Sequence, residues 1–377
     1  MDKILEAQLE KICRIFQIQG KMRACGLISS GNINHTYHVT FQDAQHEKEY
    51  IIQRINTYVF KDPCSIMHNI DLITKHIRKK LDCPSEETDR YVLHLLQTSS
   101  GENYYISENG DVWRIYPFIA DSVAYDNCND PQILRAAGTA FGLFQTQLAD
   151  FDASTLHETI PNFHNTALRL ATFFEHVKED PCGRVQELDE EIAYIRSMQE
   201  VASRLTNMLN SNEIPLRVTH NDTKTNNVLI DSRTNQPLAV IDLDTVMPGL
   251  AMHDFGDAIR FAANVAAEDE PDTAKVRMDL ELFRAFAEGF IEQTACSLTE
   301  KEIETMALGA VTITVELAVR FLDDYITGDK YFKVNYPGHN LVRARCQLTL
   351  AKDMMQKLDE MNQIVEKIAQ EARKNGH

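Results

Sequence analysis

The sequence predicts an α+β fold in two lobes, β-rich over residues 1–118 and mainly helical over residues 119–377. Short β-like runs crowd the first part, and helical apolar spacing dominates after Asp130. One polar loop followed by a hairpin pattern interrupts the helical part.

Residues 2–16 set Ile4, Leu5, Leu9, Ile12, Ile15 and Phe16 on one side of an amphipathic helix. Tyr37–Phe41 and Glu49–Ile55 read as strands joined across the polar run 42–48. A helix follows around residues 63–81, and residues 90–97, 103–107 and 111–119 read as three further strands. The first lobe is thus expected to hold about five strands and one or two helices.

The interruption of the second lobe carries the chemistry. Val228-Leu-Ile230 reads as an apolar strand, residues 231–237 are dense in turn formers, and Leu238–Ile241 reads as the return strand. Pairing them as a hairpin brings Asn227, at the start of one strand, near Asp242, at the end of the other. An amide oxygen and a carboxylate suit Mg²⁺. Asp222 falls beside them and is placed to accept a substrate hydroxyl's proton and aim its oxygen at a γ-phosphate. His220 is expected to brace this loop by hydrogen bonding, and Lys224 to meet the transferring phosphoryl group. Asp244 is open between supporting Asp242 and touching a second metal. Asp254-Phe255-Gly256 spells the metal motif of protein kinases, but no hairpin strand leads directly into it. Asp254 and Asp257 are therefore expected to cap the following helix and brace the loop.

Composition narrows the partners. A formal net charge of −18 argues against nucleic acid and anionic membranes. ATP is compatible with it, because a local Lys/Arg and Mg²⁺ site outweighs a distant field. The first residues have no long apolar core, and no stretch approaches the length of a membrane span. Eight cysteines without C-x-x-C spacing suit a reducing cytoplasm, the expected location.

The pattern His220-x-Asp222-x-x-x-x-Asn227 followed by Ile241-Asp242 resembles the catalytic loop and metal aspartate of the aminoglycoside phosphotransferase and choline kinase superfamily. Longer stretches look like the N-acetylhexosamine 1-kinases: His220-Asn-Asp-Thr-Lys-Thr-Asn-Asn227, Ile241-Asp-Leu-Asp-Thr-Val-Met-Pro-Gly249 and His253-Asp-Phe-Gly-Asp-Ala-Ile-Arg260. Ile52–Asn56 and Arg320–Lys333 add to the likeness, which runs from about residue 25 to about residue 350. The resemblance implies a protein-kinase-like fold and an ATP- and Mg²⁺-dependent kinase. It would act on the anomeric hydroxyl of GlcNAc or GalNAc.

In that frame Leu27–Tyr37, with Gly31 and Asn32, would cover the nucleotide phosphates, and Tyr116–Ile119, with Pro117 and Ile119, would be the hinge beside adenine. The strand that carries a phosphate-binding lysine in protein kinases has Gln53 and Arg54 here, on opposite faces. Arg54 is the candidate for charge, and Gln53 the alternative, donating hydrogen bonds. The resemblance implies sugar contacts at Arg320, Tyr331 and His35, with Asp222 at the acceptor. Arg343 and Arg345 are expected to be structural. One alternative keeps the chemistry with another acceptor, such as an aminoglycoside, choline, an amino alcohol or another sugar. Another is a nucleotide-binding pseudokinase, motivated by the missing lysine.

Overall fold

The computed structural model describes residues 3–28, 33–43, 46–84, 87–126 and 128–376. Helix α1 (Lys3–Ile15) turns Leu9, Ile12 and Cys13 inward. They pack on one face of a five-stranded antiparallel sheet, against Tyr37, Val39, Phe41, Ile52, Trp113 and Ile115. Its strands are β1 (Lys21–Ile28), β2 (His35–Gln42), β3 (Glu47–Ile55), β4 (Tyr105–Ile106) and β5 (Val112–Pro117), in the order β1-β2-β3-β5-β4. Helix α2 (Pro63–Lys80) packs with Ile55, Val112 and Tyr116, and Asp62 opens it by accepting the Ser65 amide.

One strand expectation is corrected. Residues 90–97 form no strand. After a short 3-10 turn (Thr88–Arg90) the segment runs irregularly, with Val92, Leu93 and Leu95 buried in the cluster that includes α2. Its apolar pattern reflects that packing rather than a ladder. Strand β1 was not expected. It is a sheet edge with no fully buried residue, so it carries no alternation to read.

The helical part holds α3 (Pro131–Gln147), α4 (Thr166–Glu179), α5 (Asp189–Asn210), α6 (Ala251–Ala262), α7 (Leu280–Thr294), α8 (Glu300–Glu304), α9 (Met306–Thr327) and α10 (His339–Asn375). The expected hairpin is present as β8 (Val228–Asp231) and β9 (Pro237–Val240), with Val228 opposite Val240. A short β6 (Ser122–Val123), between β5 and α3, joins its edge. Met247-Pro248-Gly249 forms β10 and pairs with β7 (Arg217–Thr219), which precedes the loop that carries Asp222. Among the described residues no helix is long and apolar enough to cross a membrane.

Helix α9 is buried along most of its length, and α6 crosses it at glycine on glycine. A Cβ on Gly256 would stand 2.3 Å from the Gly309 carbonyl oxygen, and one on Gly309 would stand 2.0 Å from that of Met252. Only bare backbone fits there. Gly309→Ala should therefore cost about 1–3 kcal/mol of stability by overpacking. Thermal unfolding checks it, and an unchanged melting temperature would mean that the crossing tolerates a methyl group.

Candidate active site

The loop of residues 220–227 leaves β7 and is held mainly through its own backbone. Asn221 takes a left-handed conformation (φ 64°), which Asn tolerates better than most residues. Its side chain donates to the Thr245 carbonyl at 2.9 Å. The Asp254 carboxylate accepts the amides of His220 and Asn221, both at 2.8 Å, and Asp257 accepts that of Thr223 at 3.0 Å. Both aspartates lie on α6, so bracing the loop is what this geometry does. Neither is the helix cap: Leu250 holds that position without a side-chain bond. Arg260 pairs with Asp257 at 2.9 Å and compensates its buried charge.

His220 is occupied on both ring nitrogens. Its Nδ1 accepts the Asp222 amide at 3.3 Å, and its Nε2 meets the Ile241 carbonyl at 2.9 Å. Those partners assign the neutral Nε2–H tautomer and make His220 a strut between loop and hairpin.

Asp222, Lys224, Asn227 and Asp242 come together in one cleft of about 350 Å³. Lys224 Nζ lies 2.9 Å from Asp222 Oδ1. Asn227 Nδ2 donates to the Asp222 backbone carbonyl at 2.8 Å and to its carboxylate at 3.0 Å. Those bonds occupy its amide hydrogens and leave Oδ1 as the atom it presents. The Ile241 amide donates to the Asn227 carbonyl at 2.9 Å, which sets Asp242 alongside. Asp242 is itself left-handed, at φ 58°. Burial, then the charges of Asp244 and Asp222, push its carboxyl up to about 7 against the pull of Arg114 and Lys224. Burial works against the Lys224 charge, yet Asp222 and Asp257 raise its pKa above the usual lysine value.

Asp244 has both oxygens engaged. One is ion-paired with Arg114, and the other accepts from Asn34 Nδ2 at 2.6 Å. It therefore supports the site from behind. With Asp222 and Asp244 each paired to a cation, Asp242 carries the uncompensated negative charge. Asp242 and the Asn227 oxygen are a donor set that fits Mg²⁺, which takes few protein ligands and completes its shell with water and phosphate oxygens. Among the described residues no group of three or more His, Cys, Asp or Glu forms a denser metal cage.

On the nucleotide side, Pro117 and Ile119 line the cleft, with Ile28, Ile33 and Ile51 from one side and Leu229 and Ile241 from the hairpin. Gly31 and Asn32 lie outside the described residues. Arg54 does not face the cleft. It pairs with Asp111 at 3.5 Å, over the Trp113 ring on the α1 face, while Gln53 lines the cleft. Strand alternation allows only one of the two inward, and Ile52, one residue before Gln53, is fully buried under α1. Arg114 was missed, although a lone charge inside Val112-Trp-Arg-Ile-Tyr116 is a sequence signal for a buried, paired group.

Of the implied acceptor contacts Asp222 lines the cleft, and His35, Arg320 and Tyr331 are not among its lining residues. His35 is exposed and pairs across the sheet with Arg54, on the face away from the cleft. Arg320 lies 5.4 Å from the ring centres of Phe163 and Phe332 and 5.8 Å from that of Tyr331. Tyr331 is 68% exposed, and neither Arg320 nor Tyr331 lines the cleft that holds Asp222. Arg343 and Arg345 bond to the Lys333 carbonyl and to Glu191.

Because the folded state holds a proton on Asp242 that the unfolded state releases at lower pH, this group's contribution to stability falls as pH rises through about 7. Metal-free Asp242→Asn should melt a few degrees above the wild type at pH 8, by roughly 1–2 kcal/mol. The gap should close towards pH 5. A gap that does not change with pH would place the Asp242 pKa in the ordinary carboxylate range.

The family model of the phosphotransferase enzyme family (APH) matches residues 25–289. Among solved structures, the chain is similar to a spectinomycin phosphotransferase in complex with ADP and spectinomycin, at 14% identity and TM-score 0.53, covering 98% of each chain. It is similar to choline kinase from Cryptosporidium parvum Iowa II at 14% identity and TM-score 0.57, covering 94% of this chain and 97% of that one. It is also similar to the GDP complex of aminoglycoside 2'-phosphotransferase-IIIa at 12% identity and TM-score 0.56, covering 94% and 100%. At these identities the likeness shows the fold, which is protein-kinase-like: an antiparallel sheet followed by a mainly helical part. With the family model matching well over half its length, the chain belongs to the phosphotransferase enzyme family.

Proposed function

We propose that this chain transfers the γ-phosphoryl group of ATP, with Mg²⁺, to the anomeric hydroxyl of an N-acetylhexosamine, giving the sugar 1-phosphate. The observation that carries the phosphotransfer is the convergence of Asp222, Lys224, Asn227 and Asp242 in one cleft with the Pro117–Ile119 segment. Asp222 accepts the hydroxyl proton and orients the attacking oxygen, which forms the new O–P bond as the bond to the β-phosphate oxygen breaks. Lys224, beside Asp222, offers positive charge to the transferring group. Asn227 and Asp242 would hold Mg²⁺, which when bound neutralises charge on the phosphates. The apolar walls around Pro117 and Ile119 suit an adenine ring. The ADP and GDP complexes of the similar phosphotransferases support nucleotide use.

The acceptor rests on the resemblance of the catalytic loop, the hairpin and Arg320–Lys333. Arg320 reaches the Tyr331 hydroxyl at 3.5 Å, so an exposed ring stands beside a guanidinium. A ring to stack on and a donor for an N-acyl oxygen suit an amino sugar. The net charge of −18 and the likeness to a choline kinase favour the second reading, a cationic acceptor.

Phosphorus NMR of the purified protein with Mg-ATP and a panel of GlcNAc, GalNAc, amino alcohols and aminoglycosides separates the two. A sugar 1-phosphate is expected, and product from an amino alcohol or aminoglycoside alone would replace the acceptor. Asp222→Asn should lower turnover at least ~10²-fold with the melting temperature nearly unchanged. Near-wild-type turnover would remove Asp222 from its role. Arg320→Ala should raise the acceptor KM roughly tenfold and leave the ATP KM in place. An equal change in both would make Arg320 structural.

A further inference from the structure

Resting on the nucleotide reading above, we propose that Gln53, aimed by Arg114, anchors the nucleotide phosphates, with the supporting cation on β5 instead of a lysine on β3. Lys224 is the only lysine or arginine among the described residues that line the cleft, and it is paired with Asp222. From β3 the cleft receives Ile51 and Gln53. Gln53 and Arg114 stand directly opposite one another in the β3–β5 ladder. Arg114 is fully buried, one layer behind the cleft wall.

Hydrogen-bond chemistry settles which end of Gln53 faces outward. A guanidinium only donates, so the atom 2.9 Å from Arg114 Nε must be the glutamine oxygen. The amide nitrogen then lies on the other side. There it donates to Thr36 Oγ1 at 3.1 Å, with a second hydrogen for a ligand. A donor whose carbonyl end is fixed by a buried cation is polarised toward an anion. Arg114 also pairs with Asp244 and stacks near the Tyr116 ring at 5.4 Å, so one guanidinium ties sheet to hairpin. By neutralising Asp244 it lowers the repulsion that phosphates would meet. Asn34 supports the arrangement from the β1–β2 connection, donating to Asp244 and accepting the Asn56 amide at 3.0 Å. Arg114 is thus a positioning residue, and Gln53 is the group that touches the ligand.

Isothermal titration calorimetry with Mg-ATP and with adenosine tests the assignment, because only ATP carries phosphates. Arg114→Gln should weaken ATP binding roughly tenfold or more and leave adenosine nearly unchanged. Gln53→Ala keeps Arg114 and its pair, and should weaken ATP several-fold with adenosine unaffected. It decides the matter by itself if Arg114→Gln does not fold. The double variant Gln53→Lys/Arg114→Gln moves the cation across the same cross-strand pair and should recover most of the ATP affinity. Parallel losses for ATP and adenosine, or unchanged ATP binding in Gln53→Ala, would overturn the proposal. A wild-type protein that binds neither ligand would remove the nucleotide reading itself, and this assignment with it.

Discussion

Asp222, Asp242 and Asp244 share one cleft, and like charges brought together away from water repel strongly. Much of the surrounding structure offsets that cost. Lys224 sits on Asp222 and Arg114 on Asp244. Asp242 is left without a paired cation, a deficit that adds to burial in raising its pKa. The deficit has the sign and place that a divalent cation would fill. The uncompensated charge of the cleft and the proposed binding of Mg²⁺ there are one electrostatic property.

A cleft under such strain needs a rigid frame, and the frame is made of backbone. Two α6 carboxylates receive three loop amides, and the helix that carries them meets α9 where neither partner has a side chain. Gln145 of α3 reaches both the Val218 carbonyl and Asp254. His220 links loop to hairpin from inside the same knot. The aspartates of the Asp254-Phe255-Gly256-Asp257 run are therefore spent on shape, although the first three residues spell a metal-binding motif elsewhere. Burial decides this, because a carboxylate already satisfied by backbone amides has little left to offer a cation.

The parts read well from sequence were those whose partners lie close along the chain. The β8–β9 hairpin has local strand and turn signals, so the neighbourhood of Asn227 and Asp242 followed from a few residues on either side. The same argument set Asp254 apart from Asp242, and Asp254 lies under the loop, accepting the His220 and Asn221 amides. Residues 90–97 misled because packing on a helix imitates the apolar content of a strand. Strand β1 escaped because an edge strand without a buried face leaves no period. Arg54 was the natural candidate for phosphate charge on residue type alone, and only its face in the sheet shows that it points elsewhere.

The sequence by itself determined which residues meet at the loop and hairpin, because Asp222, Asn227 and Asp242 fall within a short stretch whose local geometry is nearly forced. Tertiary structure decided where the supporting charge comes from. Arg114 and Asp244 are 130 positions apart, and Asn34 and Asp244 are 210 apart. No local pattern reports such a meeting. It arises when the sheet docks on the hairpin, because a buried guanidinium and a buried carboxylate are costly apart and tolerable together.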